Sequence, residues 1–298
     1  MCLILFAYKI HPSYNLIVAA NRDEFYERPS SPAEFWEDAP QVLAGRDLKE
    51  GGAWLGITRE GKFAAITNYR DPAAIKADAP SRGKLVSNFL IGPENAISYL
   101  KKISGQAHRY NGFNLIFGDD RDIFAYSNRG EKQKLEAGIY GLSNRLLDNA
   151  WPKVVRGKKA LSAVMAKKGD DLEAALFTIL SDKKIAPDNK LPATGIGLEW
   201  ERLLSAIFIC ETPIPKAKRN GIGKLNNPAK RRVQCSKACF PKQALELPVG
   251  ESPNYGTRSS TVLLIGKNKR VRFVEKVFDG KREPWVESRF SFVIDKGN

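Results

Sequence analysis

Residues 2–9, CLILFAYK, and residues 14–20, YNLIVAA, are two short runs rich in β-branched and aromatic side chains, with IHPS between them. Such runs read as strands and the proline-bearing segment as a turn, so the chain opens on an antiparallel hairpin. The second strand runs straight into a polar quartet, Asn21-Arg22-Asp23-Glu24. If the turn is HP, or a four-residue loop over 10–13, opposed positions sum to 23 and Cys2 lies across from Asn21. Opposed residues share a face and neighbours alternate, so this register predicts Asn21 and Asp23 on the Cys2 side and Arg22 turned away. A slip of one residue reverses every face.

The same patterning predicts strands at 41–44, 53–58, 62–68, 113–118, 121–126 and 138–142, and again at 205–210, 260–266 and 270–278. Helical spacing appears in ENAISYLKKI, in WPKVVRGKKALSAVMAKK with Pro152 in its first turn, and in DDLEAALFTILSD, which opens on acids. Strands and helices in this order imply an α+β body of stacked sheets with helices outside.

At 298 residues and 43% hydrophobic, the chain has enough apolar surface for one globular domain spanning 1–298. Residues 213–245 interrupt it: nine Lys or Arg, no Asp or Glu, four prolines and no hydrophobic period read as a basic loop insertion, taken here to extend to about 253. The net charge of +15 favours anionic partners, among them nucleotides, membrane surfaces and acyl-coenzyme A. Nucleic acid is disfavoured, because Phe240 is the only aromatic in the basic stretch and no recognised module surrounds it. No apolar run approaches the roughly 20 residues of a membrane span. Cysteines at 2, 210, 235 and 239 are too few and too uneven for a disulfide framework, which points to a reducing, cytoplasmic setting. Cys235 and Cys239 are four apart, but with only His11 and His108 to join them no metal site is expected.

Cys2 is the residue with chemistry. Removal of Met1 would leave it holding both a thiol and an α-amine of pKa about 7.7–8.0, nucleophile and base in one residue. Asp23 could orient that ammonium. Asn68, closing KFAAITN, and Asn144, in GLSNRLLD, end strands where a side-chain amide could donate to an oxyanion. Each also reads as a turn residue making a local bond, and Cys2 as a small thiol heading a core strand. Gly51 and Gly52 before Trp54 permit a tight backbone beside a large ring, as a pocket rim or a plain turn would.

The segments MCLILFA, VAANRDEF, AGRDLKEGGAWLGIT, GKFAAITNYRDP, GLSNRLLDNAWPKV and YGTRSSTVLLI occur in the order of the NRDE family, also called the transport and Golgi organisation family, which this chain resembles over residues 1 to about 210 and 255 to about 280. The resemblance implies a four-layer αββα sandwich of the N-terminal-nucleophile hydrolase type, and lipid, acyl-coenzyme A or haem handling. A more distant similarity to cholylglycine hydrolases and penicillin V acylases implies catalytic roles for Cys2, Asp23, Asn68 and Asn144. Those enzymes carry an Arg where this chain has Ala20, so Arg22 or Arg258 is the substitute cation, with Asn21 a further supporting residue. The resulting expectation is an N-terminal cysteine hydrolase of amide or related acyl bonds, needing no cofactor and acting on a small molecule. The alternative is a non-catalytic carrier of haem or an acyl or lipid ligand, with Cys2 or His11 as the iron ligand.

Overall fold

The computed structural model describes residues 2–119, 121–213, 254–278 and 286–295. Its strands are β1 (Cys2–Tyr8), β2 (Tyr14–Phe25), β3 (Ser30–Trp36), β4 (Ala39–Asp47), β5 (Leu55–Thr58), β6 (Phe63–Asn68), β7 (Phe113–Gly118), β8 (Ile123–Ser127), β9 (Lys132–Lys134), β10 (Gly138–Leu142), β11 (Thr212–Pro213), β12 (Asn254–Gly266), β13 (Arg270–Val277) and β14 (Val286–Val293). The α-helices are α1 (Gly83–Ile91), α2 (Ala96–Gln106), α3 (Pro152–Ala163), α4 (Gly169–Leu180) and α5 (Leu198–Leu203).

Among the described residues these strands form two seven-stranded antiparallel sheets. One runs β10-β1-β2-β12-β13-β14, with β11 paired to β12, and the other runs β3-β4-β5-β6-β7-β8-β9 in sequence order. Alternation along each strand sorts the side chains. Ile4, Phe6, Val18 and Leu263 from the first sheet meet Leu43, Ile57, Ala65 and Ile116 from the second, forming the core between the sheets. Leu3, Leu5, Ile17 and Val262 point the other way, onto Val154, Leu161, Leu172 and Leu176 of α3 and α4. On the far side Val42, Ala64, Leu115 and Phe117 pack against Leu85, Phe89, Tyr99 and Ile103 of α1 and α2. The layer order is therefore αββα, as the resemblance implies.

Two expectations are corrected. Residues 205–210 are not a strand, although Ile207 and Ile209 are buried. Their backbone is satisfied without a ladder: Phe208 N donates to Asp182 O, Ile209 N to Thr257 Oγ1, and Ile207 O accepts from Asn21. The hairpin register is also one residue away from expectation, with Cys2 opposite Arg22 and Leu3 opposite Asn21. The cause lies in the turn. Lys9 adopts a left-handed φ of 54°, and the buried His11 ring folds inward so that its Nδ1 accepts from Ser13 N and Tyr14 N, which lengthens the loop. Beyond the expected 14–20, β2 continues to Phe25 because β12 pairs with it as far as Tyr255. The expected insertion and both Cys235 and Cys239 lie outside the described residues, except Pro213, whose backbone pairs with Asn254.

Candidate active site at the head of the hairpin

The quartet alternates between two environments. Asn21 faces the helices, where its Nδ2 donates to Leu180 O at 2.9 Å and Ile207 O at 2.8 Å and its Oδ1 accepts from Ser260 Oγ at 2.6 Å. Those bonds fasten α4 and the 205–210 segment to β2, so Asn21 is a staple. Asp23, on the same face, is 1% exposed and accepts from Thr257 Oγ1 at 2.8 Å. Arg22 and Glu24 face the second sheet. Arg22 lies opposite Cys2 with its guanidinium 4.3 Å from the centre of the Trp54 ring and Nη1 3.5 Å from Ser30 Oγ.

Cys2 is half-buried at the edge of this arrangement. Burial pushes its thiol up, opposed first by the positive charge of the chain terminus; the Asp23 charge adds to the rise, and a hydrogen bond from the Asp23 backbone and the Arg22 charge lower it. In the chain with Met1 present, burial prevails. Although burial pulls the Glu24 carboxyl upward, the positive charge of the chain terminus, then Arg22, Arg28 and the Phe25 N–H, bring it below its ordinary value.

Cys2, Ile4, Ala20, Arg22, Trp54, Leu55 and Ile66 line a cavity of about 10 Å³, room for about one water. Gly45 makes space for Trp54, since a Cβ there would overlap the ring. Of the two readings of the glycines before Trp54, the turn is the one seen: Gly51 has a φ of 68° and its N–H donates to Asp47 O at 2.7 Å. A Cβ on Gly52 would lie 2.5 Å from the Gly83 carbonyl carbon. This contact also brings in Arg82, just before α1, which burial lowers to about 10 against the attraction of Glu24 and Cys2.

The two asparagines meet. Asn144 is fully buried, and its Nδ2 donates to Asn68 O at 2.9 Å. Ser143 Oγ lies 3.1 Å from Cys2 O and 3.3 Å from Asn144 Oδ1, sharing its proton between them. A chain of contacts therefore runs from Cys2 through Ser143 and Asn144 to Asn68, joining β1, the end of β10 and the end of β6. Thr67 Oγ1 and Asn114 Nδ2 both donate to Ser143 O, at 2.6 and 3.3 Å, and hold that corner rigid. The Asn68 side chain is half-buried and no partner for it occurs among the described residues.

Arg258 sits elsewhere. At a bulge in β12, its Nη1 donates to Phe25 O, Tyr26 O and Arg28 O at 2.8–3.0 Å, clamping the turn after β2. Of the two substitute cations only Arg22 faces Cys2. His11 is at the opposite end of the hairpin, and its Nδ1 accepts two backbone N–H groups, which leaves the proton on Nε2 for Lys167 O at 3.1 Å. Neither nitrogen has a lone pair for iron, so His11 does not fit as a haem ligand.

Several site residues escaped the sequence reading. Neither Ser143 nor Arg82 carries a functional pattern in the sequence. Arg70 is buried, bound through Nη1 to Glu201 Oε2 at 2.6 Å and stacked 4.6 Å from the Trp151 ring centre. Lys153 is 1% exposed. Its signal was available, because a lysine in the first turn of a helix opposes the macrodipole.

A four-layer αββα protein with a cysteine at position 2, opposed to an arginine, is the class that fold and site define. The chain belongs to the Transport and Golgi organisation 2 family, whose model matches residues 1–280. It is 39% identical over 295 residues to the Transport and Golgi organization protein 2 homolog of Bos taurus, covering 93% of this chain and 92% of that one. It is 35% identical to the Mus musculus homolog, covering 99% of each. Among solved structures, a Caenorhabditis elegans ortholog of N-acylethanolamine-hydrolyzing acid amidase aligns at TM-score 0.42 and 11% identity, over 60% of this chain and 86% of that one. A C2A mutant of conjugated bile acid hydrolase from Clostridium perfringens aligns at TM-score 0.37 and 7% identity, over 99% and 98%. At these scores the likeness carries no inference about a reaction. Among the described residues no helix is long and apolar enough to cross a membrane.

Proposed function

We propose that this protein is a cytoplasmic N-terminal-cysteine hydrolase of amide or related acyl bonds. The observation that carries the reading is the contact chain from the Cys2 carbonyl through Ser143 and Asn144 to the Asn68 carbonyl, which brings these four residues together where β1, β10 and β6 meet, with Cys2 lining a small cavity. With Met1 removed, the Cys2 sulfur attacks the acyl carbon and its α-amine takes the thiol proton. Asp23 holds the resulting ammonium. The amide of Asn68 donates to the oxyanion, and Asn144, with one proton committed to Asn68 O, offers the other. Collapse expels the amine, protonated by the ammonium, and leaves a thioester that water cleaves to the acid. Arg22 supplies the positive charge across from the nucleophile, and it suits an anionic substrate.

The cavity admits about one water, so substrate binding has to displace Trp54 or Arg22. Intact mass tests the first requirement, since a retained Met1 blocks the amine and sinks the reading. Screening N-acyl amino acids, acyl-coenzyme A thioesters and penicillin V against wild type and Cys2→Ala tests the second. Turnover that survives in Cys2→Ala belongs to something else.

One observation favours the non-catalytic alternative, a carrier of an acyl ligand: burial raises the Cys2 thiol when Met1 is present. A chain that keeps Met1 and binds an acyl-coenzyme A without cleaving it would decide for the carrier.

A further inference from the structure

Arg22 is 7% exposed, yet among the described residues its guanidinium has one long hydrogen bond, Nη1 to Ser30 Oγ at 3.5 Å, and the face of the Trp54 ring at 4.3 Å. A guanidinium carries five N–H donors, and burying it with the fork unfilled is costly. Two acids face the same way and neither fills it. Glu24 Oε1 accepts from Phe25 N at 3.0 Å, and Glu275 takes Ala33 N at 2.8 Å and Thr261 Oγ1 at 3.2 Å. The charge of Arg22 reaches both acids without an ion-pair contact. Trp54 holds a second unfilled donor: its indole Nε1 is buried and makes no hydrogen bond among the described residues, although a buried indole N–H ordinarily finds a partner.

Arg22, Trp54 and Cys2 line one cavity, with Ile4, Ala20, Leu55 and Ile66 as apolar walls. Unfilled N–H donors from two side chains, one of them charged, call for an anionic acceptor, and the planar guanidinium fork matches the two oxygens of a carboxylate. The cavity is too small for one until a wall moves. Trp54 is the wall that yields. Arg22 is held within β2, paired to Cys2 of β1 on one side and to Ser259 of β12 on the other. Trp54 lies just before β5, its ring is half-buried, and moving that ring breaks no side-chain hydrogen bond. A half-buried ring stacked on a buried guanidinium is a cover. What its departure gives up, a cation–π contact, is weaker than the bidentate pair that replaces it.

We propose that Arg22 is the binding site for a substrate carboxylate and Trp54 its cover: the indole swings off the guanidinium, and the carboxylate of an N-acyl α-amino acid takes the fork while its acyl carbon meets Cys2. The inference rests on the N-terminal-cysteine reading and names the substrate class of that site. Spacing selects the α-carboxylate. Arg22 lies directly opposite Cys2, where antiparallel partners are about 4.5–5.5 Å apart at Cα. The carboxyl carbon of an N-acyl α-amino acid is three bonds from the acyl carbon, about 3–4 Å by standard bond lengths. One end of such a molecule therefore reaches the cation while the other is at the thiol.

The test uses the full chain carrying Cys2→Ala, so that nothing is turned over, and compares N-octanoylglycine with its neutral amide, N-octanoylglycinamide, by calorimetry. The acid should bind at least about tenfold more tightly than the amide. Adding Arg22→Met should abolish that preference by weakening the acid alone, and Arg22→Lys should restore only part of it, because an ammonium lacks the fork. The comparison of acid with amide needs no change at Arg22, which keeps the proposal testable if the Met variant does not fold. Saturation with the acid should also change tryptophan emission, and Trp54→Phe should lose that change. Equal affinities for acid and amide, or no binding of either, overturn the proposal. So does a preference for the acid that persists in a folded Arg22→Met, or an emission change that Trp54→Phe retains. Turnover measured with Cys2 in place separates the two readings. Cleavage of the amide as fast as the acid keeps the hydrolase and removes the carboxylate site, whereas acid-selective binding in a chain that retains Met1 keeps the site and removes the hydrolase.

Discussion

The side-chain amide of Asn144 donates to the backbone carbonyl of Asn68 at 2.9 Å, bridging the two sheets at the ends of β10 and β6. Arg70 N returns a bond to Asn144 O at 2.8 Å, so the corner is closed from both sides. Asn144→Ala leaves the Asn68 carbonyl without its donor in a buried place, a cost of about 1–3 kcal/mol. Urea unfolding should read that loss. If Asn144 also serves the oxyanion, turnover per folded molecule should fall about 10²–10³-fold besides.

Gly45 and Trp54 set up a second expectation. A Cβ at position 45 overlaps the indole ring, and the ring is confined between Gly45 and Arg22 at the Cys2 cavity. Gly45→Ala should therefore cost about 1–3 kcal/mol by overpacking. It should also drive Trp54 toward Cys2, slowing alkylation of that thiol and shifting tryptophan fluorescence. Unchanged stability and labelling would mean that the ring has room the packing does not reveal.

How far the sequence spoke depended on where each backbone group finds its partner. Residues 113–118 and 138–142 were legible to the residue, because each is a short run of aromatic and branched aliphatic side chains with glycine at an end. The register of the first hairpin was not, because the side chain of His11 stabilises a longer turn, and a single residue there exchanges the faces of Asn21, Arg22 and Asp23. Residues 205–210 have strand composition, yet Asp182, Thr257 and Asn21 occupy their hydrogen bonds, a tertiary fact no local pattern contains. Helix α1 went unread because KLVSNFL follows a glycine chosen for its contact with Gly52. Of the candidate site, Cys2, Asp23, Asn68 and Asn144 were named from the chain, whereas Lys153 was not, although its place in the first turn of a helix was readable.

Arg70 and Glu201 form an ion pair whose side chains are 4% and 5% exposed. Glu201 Oε1 is also held by Thr194 N at 2.9 Å and Oγ1 at 2.6 Å, while Nε and Nη2 of Arg70 lack partners among the described residues. Removing the acid strands a buried guanidinium, so Glu201→Ala should destabilise by about 3–5 kcal/mol. Replacing both members with apolar residues of similar volume should recover most of it. A Glu201→Ala loss below about 1 kcal/mol in thermal or urea unfolding would show that water reaches Arg70.

Lys153 gives stability a pH dependence of definite sign. Its amine has a pKa of about 8 in the folded chain, against an ordinary 10.5, because burial disfavours the charge. Between those values the unfolded chain binds more protons than the folded one, so the contribution of Lys153 to unfolding free energy rises as pH increases from about 8 toward 10.5. The Asp23 carboxyl, raised by burial, acts at the acid end: its contribution is present below the unfolded value and is lost as pH climbs through the folded one. Lys153→Met isolates the alkaline window because tyrosine and arginine titrations cancel in the comparison. Urea midpoints measured from pH 7.5 to 10 should show wild type gaining on Lys153→Met across that range. A difference that stays flat would mean that Lys153 keeps its ordinary affinity for a proton and is solvated in the folded chain.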